Sequence, residues 1–269
     1  MSTMGKTKIS MTIAGSDSGA GAGIQADLKT FAALNVYGTC VITAVTAQNT
    51  IGVLDFEIMN NKMISSQFNA LISDIYPDSI KIGMLGNEEV VSLISALLSP
   101  MKNIPIVLDP VMVAKSGDQL ISDSAIEIMK NSLIPLSTIL TPNLPEAEVL
   151  AGMKINSRSD MLIASKKILE LGPKYLLMKG GHMKGDPIDI LFNQEEGLLV
   201  ELPQKRINTK NTHGTGCTFS SAITAELAKG QNYVDSVKIA QKYVYSAMKT
   251  SVELGKGHGP LNHFYKLSY

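Results

Sequence analysis

The heptapeptide Asn211-Thr212-His213-Gly214-Thr215-Gly216-Cys217 stands before a long run of helical period. Glycines at 214 and 216 allow a tight turn that exposes successive N–H groups, and a helix beginning near Cys217 adds its first unpaired donors and its positive dipole end. Such a spot is an anion hole. Phosphoryl transfer spreads negative charge over equatorial oxygens, so fixed donors with one ionisable side chain beside them suit it. Cys217 is that side chain. At a helix N-terminus its thiol pKa is expected below the usual ~8.5, which would let it take a proton from a substrate hydroxyl. A small buried hydrophobe at a glycine-rich helix start is the alternative for the same heptapeptide.

A second glycine-rich loop, Gly15-Ser16-Asp17-Ser18-Gly19-Ala20-Gly21-Ala22-Gly23, follows the first apolar run. Its Gly21-x-Gly23-x-x-Ala26 spacing matches a permissive dinucleotide-binding fingerprint. That fingerprint needs an acid about 20 positions on, at the end of the second strand, to hold ribose hydroxyls. The second strand ends in Ala47-Gln48-Asn49 and no acid follows until Asp55, so an oxidoreductase is not the expectation. The loop reads instead as a close backbone approach to a small substrate. Asp27, just inside the next helix, is either a ligand contact or a first-turn acid that complements the helix dipole.

Short apolar runs alternate with stretches of helical period along the chain. Residues 9–14, 41–47, 80–85, 104–109, 138–141 and 175–178 read as buried strands, and residues 24–34, 65–75, 88–98, 124–133, 145–151 and 159–171 as helices with polar outer faces. This order predicts an α/β fold with a mostly parallel central sheet and helices on both faces. Ligands in such sheets bind at the carboxyl ends of the strands. Six strand ends carry polar or glycine-rich residues, among them Gln48, Met84, Asp109, Asn143 and Lys179, and together they predict a single cleft. Residues 188–207, with turn residues at 193–197, predict a β-hairpin at the sheet edge. The segment Gly255-Lys256-Gly257-His258-Gly259-Pro260 reads as a structural turn.

With 269 residues, 45% of them hydrophobic, and no linker, one domain is expected. Twenty-four basic residues balance 24 acidic ones, which leaves no footprint for nucleic acid. The N-terminus lacks the apolar core of a signal peptide and no apolar run approaches the ~20 residues of a membrane span. Cys40 and Cys217 show no disulfide or metal spacing, so a reducing, cytoplasmic setting is expected.

Taken together, Gly15-Ser16-Asp17-Ser18, residues 22–29 (AGIQADLK), Ala47-Gln48-Asn49-Thr50, residues 81–85 (KIGML), Asp109-Pro110-Val111-Met112 with Lys115-Ser116-Gly117-Asp118, residues 141–147 (TPNLPEA), Lys179-Gly180-Gly181-His182 and the Cys217 heptapeptide resemble hydroxymethylpyrimidine/phosphomethylpyrimidine kinases. The resemblance runs in order from about Ile9 to His263. It implies a ribokinase-like three-layer sandwich and two successive ATP-dependent transfers in thiamine biosynthesis. The first phosphorylates 4-amino-5-hydroxymethyl-2-methylpyrimidine and the second extends its monophosphate to the diphosphate. It also implies that Gly15, Ala22, Asp27, Gln48, Met84 and Val111 surround the pyrimidine. Asn143, Lys179, Thr212 and His213 fall to ATP, Asp109 and Glu146 to Mg²⁺ and its waters, and the 214–217 loop to catalysis. A carboxamide such as Gln48 can pair with an aminopyrimidine edge, while Met84 and Val111 suit the ring and methyl. Relatives of this kind suggest a homodimer.

Read alone, Glu146 is an ordinary first-turn acid after Pro145, and His213 is as suited to loop packing as to steadying a transition state. Two departures from the family pattern stand out. Many relatives carry Gly where this chain has Ala20, so a positive φ there predicts strain of roughly 1 kcal/mol. The broader superfamily has Asp where this chain has Cys217, a cysteine shared with pyridoxal kinases. Ala114 replaces the lid cysteine of dual-cysteine pyridoxal kinases, which favours the pyrimidine. A pyridoxine or pyridoxal kinase remains the alternative substrate reading, and a non-catalytic pyrimidine-binding sensor the alternative of another class.

Overall fold

A computed structural model describes residues 6–112, 121–181, 183 and 185–267. The Ala114 comparison, residues 115–118 and His182 lie outside the described residues. Nine strands form one sheet: β1 (Ile9–Asp17), β2 (Tyr37–Gln48), β3 (Val53–Ile58), β4 (Ser79–Ile82), β5 (Ile106–Leu108), β6 (Ile139–Leu140), β7 (Tyr175–Met178), β8 (Ile188–Asn193) and β9 (Gly197–Pro203). Their order is β3-β2-β1-β4-β5-β6-β7-β8-β9. The six strands from β2 to β7 pair in parallel. Antiparallel strands close both edges, β3 on one side and the expected hairpin β8–β9 on the other.

The helices are α1 (Gly23–Ala33), α2 (Asn61–Ile72), α3 (Glu88–Leu98), α4 (Asp123–Ile128), α5 (Leu144–Ala151), α6 (Arg158–Leu169), α7 (Thr215–Ala228) and α8 (Tyr233–Lys249). They cover both faces. Ile13, Ile82 and Leu108 pack on one side with Ile94 of α3 and Ile168 of α6, whereas Val107, Ile139 and Leu177 pack on the other with Phe31 of α1 and Ala222 of α7. Alternate residues of β5 thus enter different cores, as the period of a doubly covered strand requires.

Three expectations change in detail. The helix expected over 124–133 keeps α form only to Ile128, then passes through a π turn (Met129–Leu133) and a 3₁₀ turn (Ile134–Leu136). Pro135 explains the break, because it lacks the N–H that would continue the ladder and its ring crowds the carbonyl four residues earlier, although Ile134 before it keeps helical backbone. β3 was not expected: Leu54, Asp55, Phe56 and Glu57 are all exposed, so this edge strand shows no burial alternation. α8 is also additional. Its signal lay in the Asn232 cap, which accepts from the Asp235 N–H, and in Val237, Ala240, Val244 and Ala247 at helical spacing.

The chain steps outward from β1 to β2 and β3, then returns to the other side of β1 as β4. Reversal of strand order opens a crevice at the carboxyl ends of β1 and β4. The expected cleft lies there.

Candidate active site

Six of the eight α-helices among the described residues begin under a side-chain cap, from Asn60, Asn87, Ser122, Asn143, Ser157 or Asn232. α1 and α7 have none. Both of these bare N-termini open into one cavity of about 750 Å³, lined by Ala22 and Gly23 on one side and Gly214, Thr215, Gly216 and Cys217 on the other. Uncapped first-turn N–H groups need acceptors, and an anionic ligand supplies them.

The first glycine loop is organised by Asp17, which the sequence showed only as part of a motif. Its carboxylate accepts the N–H groups of Gly19 (2.8 Å), Gly21 (3.0 Å) and Ala22 (2.8 Å) and lies 2.9 Å from His213 Nε2. Burial opposes its ionisation, but the His213 hydrogen bond and the backbone donors prevail and hold the pKa below the usual carboxylate value. Gly21 packs on the His213 ring, where a Cβ does not fit. Ala20 has φ +57°, so the left-handed backbone that the missing glycine warned of is present.

The two glycine loops meet. Gly214 takes φ +78° as the N-cap of α7, and a Cβ there would strike the Gly21 carbonyl. A Cβ on Gly216 would come within 3.3 Å of both Asp109 Oδ2 and Lys179 Nζ, so glycine gives these charges room beside the donors.

Cys217 corrects an expectation. Burial pushes its thiol up to about 11, with nearby Asp27 and Asp109 adding to the rise; Lys81 and the Gly23 N–H act in the opposite direction without cancelling it. The helix dipole that was expected to lower the pKa is outweighed by desolvation. In the unliganded site Cys217 is therefore a neutral thiol.

At the ends of β5, β6 and β7 the charged residues converge. Lys179 Nζ lies 2.7 Å from Asp109 Oδ1, which also accepts from Thr141 Oγ1 at 3.2 Å. Asn143 and Glu146 form a reciprocal capping box at the start of α5, with distances of 2.9 Å and 2.8 Å. The structural role read for Glu146 from the sequence is real. It is not the whole role, because Glu146 is buried and burial, with Asp109 beside it, pushes its pKa up to about 7 despite Lys179. Among the described residues no three His, Cys, Asp or Glu side chains are grouped to hold a metal. Two buried carboxylates facing an anion hole do suit Mg²⁺, which keeps waters and takes its remaining oxygens from phosphates.

At the opposite end, Gly15, Gln48, Met84 and Val111 line the cavity as expected. Thr43 Oγ1 donates to the Met84 carbonyl at 2.7 Å and fixes that residue over Gly15. Gln48 Nε2 is 3.4 Å from His213 Nε2. Because His213 Nε2 gives its proton to Asp17, the Gln48 amide keeps its own N–H groups for a ligand.

Asp27 is misassigned as a ring contact. It is fully buried beneath the cavity floor, where its carboxylate accepts from Thr12 Oγ1 (2.6 Å), Ser221 Oγ (2.6 Å) and Lys81 Nζ (2.9 Å). Lys81, quoted from the sequence only within the 81–85 motif, lies at the cavity floor with its side chain closed to solvent. A lysine in the middle of an apolar strand was the available signal, since such a charge needs a partner. Thr212 and His213 line the same cavity, which continues past Lys179 to Asp189, Arg206 and Thr209.

The model of the phosphomethylpyrimidine kinase family matches residues 17–262. The chain belongs to that family. It is 42% identical over 256 residues to the hydroxymethylpyrimidine/phosphomethylpyrimidine kinase of Bacillus subtilis, a match that covers 94% of each chain. The crystal structure of phosphomethylpyrimidine kinase from Clostridium difficile 630 is 44% identical, covers 90% of this chain and 100% of its own, and superposes with a TM-score of 0.80. Pyridoxal kinase of Bacillus subtilis, solved as an ADP complex, is 35% identical, covers 97% of this chain and 98% of its own, and gives a TM-score of 0.88. The family fold is the ribokinase-like α/β sandwich, and the family is one of kinases. No helix among the described residues is long and apolar enough to cross a membrane.

Proposed function

We propose that the chain phosphorylates 4-amino-5-hydroxymethyl-2-methylpyrimidine and then its monophosphate, with MgATP as donor, as a step of thiamine biosynthesis. The observation that carries this reading is the convergence of two uncapped helix N-termini on one cavity, with Gln48 and Met84 at one end and Asp109, Lys179 and Glu146 at the other.

In this reading Gln48 pairs with the aminopyrimidine edge, and Met84, Val111, Gly15 and Ala22 enclose the ring. The amides of Gly214, Thr215, Gly216 and Cys217 receive the charge of the transferring phosphoryl group, and Lys179, Asn143, Thr212 and His213 fall along the nucleotide phosphates. Asp109 and Glu146 hold Mg²⁺, which when bound neutralises phosphate charge. Cys217, which lines the cavity beside these amides, is in this reading the group that takes the proton of the substrate hydroxyl. As a base it must first become thiolate, and Lys81 and the Gly23 N–H are the groups that favour that form.

Pyridoxal is the competing substrate, since pyridoxal kinases share this fold closely. A coupled ADP-release assay on hydroxymethylpyrimidine, its monophosphate and pyridoxal tests the reading. The expected result is the highest kcat/KM on the two pyrimidines; preference for pyridoxal overturns the substrate assignment, and no turnover on any of them revives a non-catalytic sensor.

A homodimer and a cytoplasmic setting belong to the same reading. Val45, Leu54 and Phe56 leave apolar side chains exposed along the β2–β3 edge, a surface that a second copy can cover. Cys40 and Cys217 are both free thiols, in keeping with a reducing compartment. Sedimentation equilibrium tests the dimer.

A further inference from the structure

Residues 255–260, read from the sequence as a turn, carry three glycines at alternate positions, and none has room for a side chain. A Cβ on Gly255 would meet the Thr50 side chain, one on Gly257 the Thr50 carbonyl, and one on Gly259 the Asn211 amide. The hydrogen bonds follow the same division. The His258 N–H donates to Thr50 O at 2.8 Å and the Gly257 N–H to Thr50 Oγ1 at 3.2 Å. Two residues further on, Gly259 O accepts the His213 N–H at 3.1 Å, and Pro260 pairs with His213 in a parallel bridge.

The segment is therefore a strap. One end holds the turn between β2 and β3, two residues beyond Gln48, and the other holds the residue before Gly214. His213 then returns the contacts to the start through Asp17 at 2.9 Å, whose neighbour Ser18 exchanges two 2.8 Å hydrogen bonds with the Gln48 backbone. Gln48, the Thr50 turn, the strap and His213 form a closed ring of contacts around the substrate end of the cavity.

Elements packed this tightly shift together rather than deform separately. The β2–β3 turn is otherwise weakly held: Asn49 and Ile51 are exposed, and the Asn49 side chain serves only to accept the Ile51 and Gly52 N–H groups within the turn. A ligand that displaced Gln48 would therefore act on the strap at Thr50, and through Gly259 on the His213 backbone that leads into the anion hole.

We infer that the strap of residues 255–260 is a positioning element for phosphoryl transfer, which couples a ring seated against Gln48 to the alignment of the 214–217 donors. The inference rests on the assignment of Gln48 to the pyrimidine. Its effect lies on the transfer step and not on ring affinity, so variants of the strap lower kcat and kcat/KM together.

The test uses the full chain and two variants, Gly257→Ala, whose Cβ opposes the Thr50 carbonyl, and Thr50→Ala, which removes the hydroxyl acceptor together with the γ-methyl beside Gly255. Amide hydrogen exchange is followed with and without hydroxymethylpyrimidine, beside steady-state kinetics. In the parent chain the pyrimidine is expected to slow exchange both near Gln48 and across residues 211–217. In the variants protection near Gln48 persists while that across 211–217 is lost, and kcat falls roughly tenfold or more in Gly257→Ala with KM for the pyrimidine little changed. Equal protection of both segments in the variants, with unchanged kcat, overturns the coupling. If Gly257→Ala does not fold, Thr50→Ala decides by the same exchange readout. Absence of protection near Gln48 in the parent chain is a different outcome, which overturns the ring assignment itself and the coupling with it.

Discussion

Lys81 Nζ lies 2.9 Å from Asp27 Oδ2, and neither side chain is reached by solvent. The pair underlies α7 and the glycine loop that leads into it, because Ser221 of α7 donates to the other Asp27 oxygen at 2.6 Å. Asp27 thereby ties the β1, β4 and α7 elements together through Thr12, Lys81 and Ser221. Burial disfavours the Lys81 ammonium, but Asp27 foremost, with Asp109, keeps it charged and holds its pKa above the ordinary lysine value.

Removing one partner of such a pair leaves an uncompensated buried charge. Lys81→Met is expected to lose about 3 to 5 kcal/mol of stability in urea titrations. The double variant Lys81→Met/Asp27→Leu is expected to lose less than the sum of the single changes. Additive losses would mean that the two side chains do not act as a pair.

Cys217 gives the second prediction. With the thiol pushed up to about 11, its alkylation by iodoacetamide in a Cys40→Ala background is expected to be slow at neutral pH and to rise about tenfold per pH unit into the alkaline range. If the thiolate serves as base, Cys217→Ala lowers kcat by roughly 10²- to 10⁴-fold with ATP affinity nearly intact. Cys217→Asp restores part of it. Near wild-type turnover by Cys217→Ala on both pyrimidines would leave the backbone donors as the catalytic element.

For the carboxylates, Glu146→Gln separates charge from structure, since glutamine also serves in a capping box. The thermal midpoint should hold while the Mg²⁺ concentration for half-maximal activity rises and kcat falls. Asp109→Ala is expected to raise the Mg²⁺ requirement likewise, and to lower the thermal midpoint as well because it strands the Lys179 ammonium that lies 2.7 Å away. An unaltered Mg²⁺ dependence in both would remove these residues from the metal site.

His263 sets an acid limit on stability. It is buried beside Thr218, with Nε2 3.0 Å from Thr218 Oγ1; burial first and the Lys29 ammonium second pull its pKa down to about 4. The unfolded chain therefore takes up a proton that the folded chain refuses, from about pH 6.5 downward. The stability from neutral His263 is complete above that pH and is lost as pH falls through about 4, by roughly 3 kcal/mol in full. Urea midpoints of His263→Gln should fall less steeply over this window than those of the parent chain. Parallel slopes would exclude His263 as the source.

Ala20 completes the set. Its φ of +57° costs an L-residue strain that glycine avoids. Ala20→Gly is expected to stabilise the chain on the order of 1 kcal/mol in chemical denaturation. Destabilisation would show that the loop depends on the methyl group.

Much of this was legible in the sequence because it depends on local pattern. Buried parallel strands print as apolar runs, and uncapped helix starts print as residues with no capping side chain, Ala22 and Gly214. Asp27 and Cys217 were misjudged for one shared reason. Near α1 and α7 a dipole argument uses sequence position alone, whereas the outcome is set by burial and by partners as distant as Lys81 and Ser221. Asp17 was hidden likewise, since its donor set closes only when the 213 loop packs on it. β3 escaped because a mostly exposed edge strand has no buried face to print.

The hydrogen bond between His213 and Asp17 spans 196 positions of the chain. During synthesis the Gln48 end of the cavity, built from β1, β2 and β4, emerges well before the heptapeptide of residues 211–217. A nascent chain exposed only as far as β9 holds Asp17 without its His213 partner and the first glycine loop without the surface it packs on. Late arrival of α7 and the strap makes catalytic competence the last property the growing polypeptide acquires, and long-range closure of this kind is slow.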